Sequence, residues 1–427
     1  MNQPMISEAL FAEKTALPGW NETERLKAWE MWQKMAIPSS RDEAWKYTSL
    51  SRLEKISFAK ACPTDFELNL KSIPLPFSKN RFCFVDGEFK AHLSTPLTSD
   101  TYLLSRGPWP QINKETQMPF SYFERLNAAL VDEGLYLDIT ADSVDPIYLI
   151  FWYGDRDTPT SHHLRHHIKV HPGVKSHLVI VDGDNNHSTH LATQMIEIEL
   201  AEGASLYCTH IKKPANTGHH ILHTYAHLAE NSQLKHFNFD FGAKLSRNEI
   251  TVCLKGDASQ CQLNGLAIAR GLDHIDNQTR INHLAPKTHS LEQYRGIIDD
   301  KACHVFHGHV FVDANASDSI ANQHNKNILL TATGQAYTEP QLEIYNQNVQ
   351  CVHGATVGDL DENALFYLQS RGLDEKQARQ LLIFGFARSI LDTLDNPSLQ
   401  TELERWIKTH LALDNTLISD LYRDTSS

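Results

Sequence analysis

Hydrophobic and polar positions change period twice along the chain. Near the amino terminus the period is helical. Leu26, Trp29 and Trp32 follow a capping pattern at Asn21 and Glu24, and Phe123, Leu126 and Leu130 follow a second one at Ser121 and Glu124. Pro38-Ser39-Ser40 closes the first of these helices, and Arg41 to Leu50 opens another short amphipathic stretch. Pro63, Pro74, Pro76, Pro96, Pro108 and Pro110 break the next segment into loops and brief strands such as Arg81–Val85. From about Leu135 the period becomes two. Ile196, Ile198 and Leu200 alternate with Glu197 and Glu199, and Phe237, Phe239 and Phe241 alternate with Asn238 and Asp240. Such runs recur at short intervals from Ile147 to about Val349, separated by Gly, Asn, Asp and Pro. After Gly358 the helical period returns. Asp374 with Gln377 caps one helix, whose Ala378, Leu381, Leu382 and Phe386 share a face. Asn396-Pro397 starts the last, with Leu399, Leu403, Trp406, Ile407 and Leu411 on one side.

So long a run of short strands, with no room for intervening helices, excludes a doubly wound α/β fold. A sandwich, a propeller and a solenoid remain. No propeller signature occurs at a fixed period, and the many evenly spaced strands favour the solenoid, with a degenerate repeat. The expected protein is mainly β, with an N-terminal helical or mixed domain over 1–135, a β core over 136–357 and a helical C-terminal domain over 358–427. That last segment is too short for a large core of its own. Its helices must pack on the β region, on each other or on a partner.

Composition narrows the function. The 427 residues carry 39 Lys and Arg against 52 Asp and Glu, a net charge of −13. This argues against non-specific binding to nucleic acid or to an anionic membrane. The longest apolar runs, such as Ile147 to Trp152, fall far short of the roughly 20 residues of a membrane span. Met1 to Leu10 holds no basic residue and no long apolar stretch, so no secretory signal is expected and the cytoplasm is the expected location. Seven Cys, an odd number without a CxxC pair, argue against a disulfide framework or a zinc knuckle. No phosphate loop, GxGxxG, GxSxG or HExxH motif occurs. The chain is therefore not expected to hydrolyse ATP by itself.

Four segments carry candidate chemistry. His162, His163, His166, His167, His171 and His177 are dense in imidazole, a good ligand for iron, zinc or nickel. Strand alternation splits them between two faces, and a polar exposed face is the simpler reading. In Cys303 to His309, a strand puts Cys303, Val305 and His307 on one face and His304 and Phe306 on the other. Asp299-Asp300 and Asp273 with Asp276 are possible acid pairs, but turn composition explains both. Cys351 and His353, two residues apart, project from one face of a strand. A thiolate beside a neutral imidazole suits an iron–sulfur species, and Cys–His is also a nucleophile arrangement.

The order of motifs from Asp273 to Phe386 resembles the SufB/SufD family of iron–sulfur cluster assembly proteins. The resemblance is carried by Tyr294-Arg295-Gly296 with Asp299, Phe306-His307-Gly308, Asn322 to Leu330, Pro340 to Ile344, Cys351-Val352-His353-Gly354-Ala355-Thr356-Val357-Gly358, Leu360-Asp361-Glu362, Leu365 to Leu368, Ser370-Arg371-Gly372 and Ala378 to Leu382. Trp45-Lys46-Tyr47-Thr48 is similar to the family's amino-terminal signature. The SufD branch fits better. Gly354 stands where SufB relatives carry Glu, and Thr331 to Glu339 lacks the Cys with which SufB accepts sulfur.

The resemblance implies a right-handed parallel β-helix core flanked by helical terminal domains. It implies a non-catalytic scaffold that pairs with SufB through the β-helix end and binds the ATPase SufC through its C-terminal helices, or forms a homodimer when alone. It implies a transient iron–sulfur cluster, or iron, at the partner interface, with His353 as a ligand and Cys351 beside it. Leu365, Phe366, Leu368, Leu381 and Leu382 would then be packing for the SufC-binding helices. The face of Leu399, Leu403, Trp406, Ile407 and Leu411 would be offered to that partner. A β-helix carbohydrate-active enzyme and a purely structural interaction protein are the competing classes.

Overall fold

The computed structural model describes residues 5–13, 22–60, 68, 70, 73, 75, 80–106, 121–143, 145–154, 157–184, 189–212 and 217–413. Fourteen strands, from Thr160–Val170 to Val349–Gly358, alternate between two facing sheets. Each pairs in parallel with the strand one full turn before it and, except for the last two, with the strand one turn after it, which makes a β-solenoid of about seven turns. The repeat escapes a fixed-period reading because its length drifts. Cys208 pairs with His236, 28 residues on, whereas Cys303 pairs with Gln335, 32 residues on.

The turns repeat more faithfully than the strands. Gly173, Gly203, Asn231, Ala258, Lys287 and Asp318 all have positive φ. They occupy one corner of six successive turns, each amide donating to a carbonyl in the next turn, as from Gly173 to Glu202 and from Asp318 to Asn348. The left-handed region costs roughly 1–2 kcal/mol for a residue with a Cβ. Stacking on the neighbouring turn holds four non-glycine residues there.

At the N-terminal end, antiparallel strands close both sheets. Glu88–Phe89 pairs with Arg81–Val85, and Tyr102–Ser105 pairs with Tyr136–Ile139. Arg81–Val85 is the strand expected from sequence. Two of the helices expected near the amino terminus are α2 (Glu22–Gln33), after a short α1 (Glu8–Glu13), and α3 (Tyr122–Leu130). Ser121 and Glu124 form the expected capping box, and Phe123, Leu126 and Leu130 are buried. Asn21 lies outside the described residues. On α2 the buried face is Arg25, Ala28, Trp29 and Trp32, while Leu26 is exposed. The Arg25 guanidinium, paired with Glu22 and lying 4.1 Å over the Phe11 ring, takes the inward place that Leu26 was expected to share.

These helices cover the outer face of one sheet, and that overturns the reading of the His-rich run as an exposed face. His162, His163, His166 and His167 are all buried, on one side against the solenoid interior and on the other under the N-terminal segment.

α4 (Glu362–Ser370), α5 (Glu375–Leu391) and α6 (Pro397–His410) follow the solenoid. The face of Leu399, Leu403, Trp406 and Ile407 is not offered to a partner. It is buried with Ile383, Phe384 and Ile390 against Phe237, Phe239 and Phe241 of the second sheet. Those phenylalanines point outward to α5 and α6, while Asn238 and Asp240, the polar members of the alternation, are buried in the interior. No helix among the described residues is long and apolar enough to cross a membrane.

Candidate functional site

The last strand, Val349–Gly358, has a neighbour on one side only. Its register sets Cys351 over Ala321, His353 over Gln323 and Ala355 over Asn325. Ala321, Gln323 and Asn325 are the buried, inward-facing members of their strand. Cys351 and His353 therefore share the inward face, as expected from their spacing. They stand on the uncovered rim of the solenoid rather than inside it: Cys351 is half-buried against the core and His353 is exposed.

Burial raises the Cys351 thiol, opposed by the backbone amide of Ala321. A raised thiol is a weak nucleophile at neutral pH, so the nucleophile reading gains nothing from this environment. A metal, by contrast, displaces the thiol proton on binding.

Polar groups stack beneath the rim. Gln323, directly under His353, donates from Nε2 to Glu292 at 2.6 Å. Burial pushes Glu292 up to about 7, against hydrogen bonds from Thr279 and Gln323. A second file runs alongside. His304 donates from Nδ1 to Asn327 Oδ1 at 2.7 Å and accepts at Nε2 from Asn277 at 3.1 Å, which fixes its tautomer. Asn277 Oδ1 in turn accepts from Asn238 and Asn248. A half-apolar, half-polar interior of this kind is tolerable because its amides and imidazole meet partners. Glu292 and Gln323 were missed from sequence. Their only signal was polar residues at inward positions of otherwise apolar strands.

The other candidates separate from this rim. Cys303, Val305 and His307 do share the outward face, and His304 and Phe306 the inward one. Burial pushes the Cys303 thiol up to about 12. Asp276 is a structural anion, ion-paired with buried Arg247 and accepting the Thr48 hydroxyl at 2.6 Å. Asp300 sits in a turn with positive φ, and Asp273 is buried beside it on the same corner side.

The Trp45-Lys46-Tyr47-Thr48 segment has a role that its sequence did not disclose. Arg247 lies 3.8 Å over Trp45, and Tyr47 stacks on Tyr337 at 4.2 Å. Tyr47 and Lys46 both reach Glu339, at 2.8 and 3.1 Å. The segment thus pins the N-terminal helices along the outer sheet, as far as the strand next to the rim.

Comparison with known proteins agrees with this architecture. Residues 152–386 match the family model described as "SUF system FeS cluster assembly, SufBD core domain". The iron–sulfur cluster assembly protein SufD of Escherichia coli is 26% identical, over 86% of this chain and 88% of its own. A SufBD family iron–sulfur cluster assembly protein of Synechocystis is 28% identical, over 87% of each chain. The SufB protein of Bacillus subtilis is 26% identical over 51% of this chain and 47% of its own. With more than half of its length matched to the core domain, and SufD similar over nearly all of it, the chain belongs to the SufBD family of iron–sulfur cluster assembly proteins and is SufD-like.

Proposed function

We propose that the chain is a non-catalytic scaffold subunit of a cytoplasmic SUF assembly complex. It pairs with SufB through the open end of the solenoid, binds the ATPase SufC through its C-terminal helices, and lends His353, with Cys351 beside it, to a nascent iron–sulfur cluster at the shared interface. The observation that carries this reading is the placement of Cys351 and His353 together on the inward face of an uncovered edge strand. An exposed imidazole ligand there can be met by ligands from a second chain, whereas a buried one could not.

The surrounding surface supports the pairing. Val352 is 54% and Val357 43% exposed on the last strand, and Ile344 and Tyr345 are exposed at the end of the strand before it. A long parallel edge with apolar side chains is a template for another chain's edge. The same edge would serve a homodimer when the partner is missing. Support for the ATPase contact lies on α4, which buries no residue and leaves Phe366 73% and Tyr367 56% exposed.

The test is His353→Ala in the co-purified complex. Subunit ratio and melting temperature should stay unchanged, while iron and acid-labile sulfide fall by about tenfold or more. Normal loading of a stable variant complex would remove His353 from the site, and Cys351→Ala measured beside it would show whether the thiol carries the role.

A further inference from the structure

A second group of ligand-type side chains lies far from the rim. Asp184 ends its strand in the second sheet, and His190 and His220 are the first and second residues of successive strands of the first. Their donor atoms all fall within 4.8 Å of one another. Asp184 and His190 are buried and His220 is partly exposed. Six strand steps separate the Asp184 strand from that of His353, about 29 Å along the axis.

The spacing of the group is that of ligands around an ion. Nε2 of His190 and Nε2 of His220 are 3.2 Å apart. Two imidazole nitrogens each about 2.05 Å from one tetrahedral ion stand about 3.3 Å from each other. The Asp184 carboxylate is 3.8 Å from His190 Nε2, within a small adjustment of the same shell. Tyr153 stacks on His190 at 4.6 Å between centroids and meets the His220 ring edge-on at 5.5 Å, so the two rings are held in place by packing. Gly218 keeps the approach open. A Cβ there would fall 2.6 Å from both Nε2 atoms. The cation nearby, Lys212, is committed to Ser246 at 2.9 Å and to Asp240 at 3.9 Å.

We propose that Asp184, His190 and His220 bind one divalent first-row transition-metal ion, of the zinc or ferrous class, inside the N-terminal half of the solenoid. Two imidazoles and one carboxylate suit either ion and leave coordination positions open to water. Because Asp184 comes from one sheet and the histidines from the other, the ion clips the two sheets together. It is independent of the cluster site at the rim.

The experiment uses the full-length chain carrying Cys351→Ser and His353→Ala, so that the rim contributes no ligand. The chain is stripped with chelator and titrated with Zn2+, with Fe2+ under anaerobic conditions, and with Co2+ as a spectroscopic probe. One tight equivalent is expected, with cobalt d–d bands, no thiolate charge-transfer band, and a rise in melting temperature. Asp184→Asn, which keeps the shape of the side chain, and His220→Ala should each weaken that equivalent by more than about 100-fold and abolish the metal-dependent rise. Gly218→Ala should do the same by filling the approach. The metal-free melting temperature of Asp184→Asn serves as the folding control. Absence of a tight equivalent in the parent, or its unchanged retention in folded Asp184→Asn and Gly218→Ala, would overturn the proposal. A thiolate band would assign the ion to a cysteine elsewhere and overturn it equally.

Discussion

The two ends of the solenoid obey opposite rules. At the N-terminal end the sheets finish in antiparallel pairs, and Phe82, Phe84 and Phe151 are fully buried under them. At the C-terminal end the strands Gln335–Ile344 and Val349–Gly358 finish parallel, with apolar side chains in solvent. Covering an edge is the ordinary way a β protein avoids pairing with its neighbours. The chain covers one end with eleven strand residues and leaves two ten-residue strands bare at the other, which supports the pairing proposed at the bare one. The chemistry follows the same division. The thiol and imidazole that the cluster would need are on the open end, and the three-ligand group is enclosed near the covered end.

Four measurements press on this contrast. The largest effect belongs to the covered end. Phe84→Ala should destabilise the chain by about 3–5 kcal/mol, read by denaturant unfolding, because its ring packs on Phe89 and Phe151 with no room to relax. A cost near zero would mean that the antiparallel cap is not part of the cooperative unit. Acid comes next. Burial lowers His166 and His236 to about 3, and His219, His283 and His410 to about 4, from an ordinary 6.5. The unfolded chain then binds more protons than the folded one between those values and 6.5. This stability is complete above about pH 6.5 and is lost as pH falls through the window. Burial raises Glu292 and Asp273 to about 7 from ordinary values of 4.5 and 3.8, and their contribution runs the other way, complete below those ordinary values and lost as pH rises from there to about 7. The five histidines outweigh the two carboxyls, so melting temperature should fall as pH drops from about 6.5 toward 4 and change little above pH 7. A flat profile from pH 7 to 5 would contradict it.

The open end should answer differently. Val352→Asp with Val357→Asp should shift the stability of the isolated chain by no more than about 0.5 kcal/mol. It should nonetheless abolish both self-association and co-purification with SufB, checked by sedimentation and pull-down. Retained pairing would move the interface elsewhere. The smallest effect is expected on α4. Phe366→Ser with Tyr367→Ser should leave unfolding unchanged and weaken retention of the ATPase several-fold. If retention is unaltered, the exposed pair is not the contact.

What could be read from the sequence followed the distance over which each signal acts. The period-two runs, the capping boxes at Ser121 and Asp374 and the shared face of Cys351 with His353 are local, and they stand in the structure as expected. Which face of a strand is covered is not local. Phe237, Phe239 and Phe241 were legible as an apolar face, but not as the outward one, because α5 and α6 arrive more than a hundred residues later to cover them. For the same reason the sequence alone reads the His162–His167 run as exposed and the α6 face as free for a partner. Asp184, His190 and His220 could not be read as a group at all. Their spacing is that of a solenoid turn, not of a helix or a strand, and only the stacking of turns brings them together.

The outward phenylalanine face also has a consequence for how the chain is made. Phe241 leaves the ribosome long before Leu413, the last of the described residues that packs in the same apolar cluster. At roughly 5–20 residues per second the second sheet spends about 10–30 s with its aromatic face uncovered while the remaining turns and helices are synthesised. Turns can stack in order as they emerge, since each contacts mainly its neighbours, but the covering helices are always last. Chains interrupted after the rim therefore carry an open end that is already formed and a flank that is still adhesive.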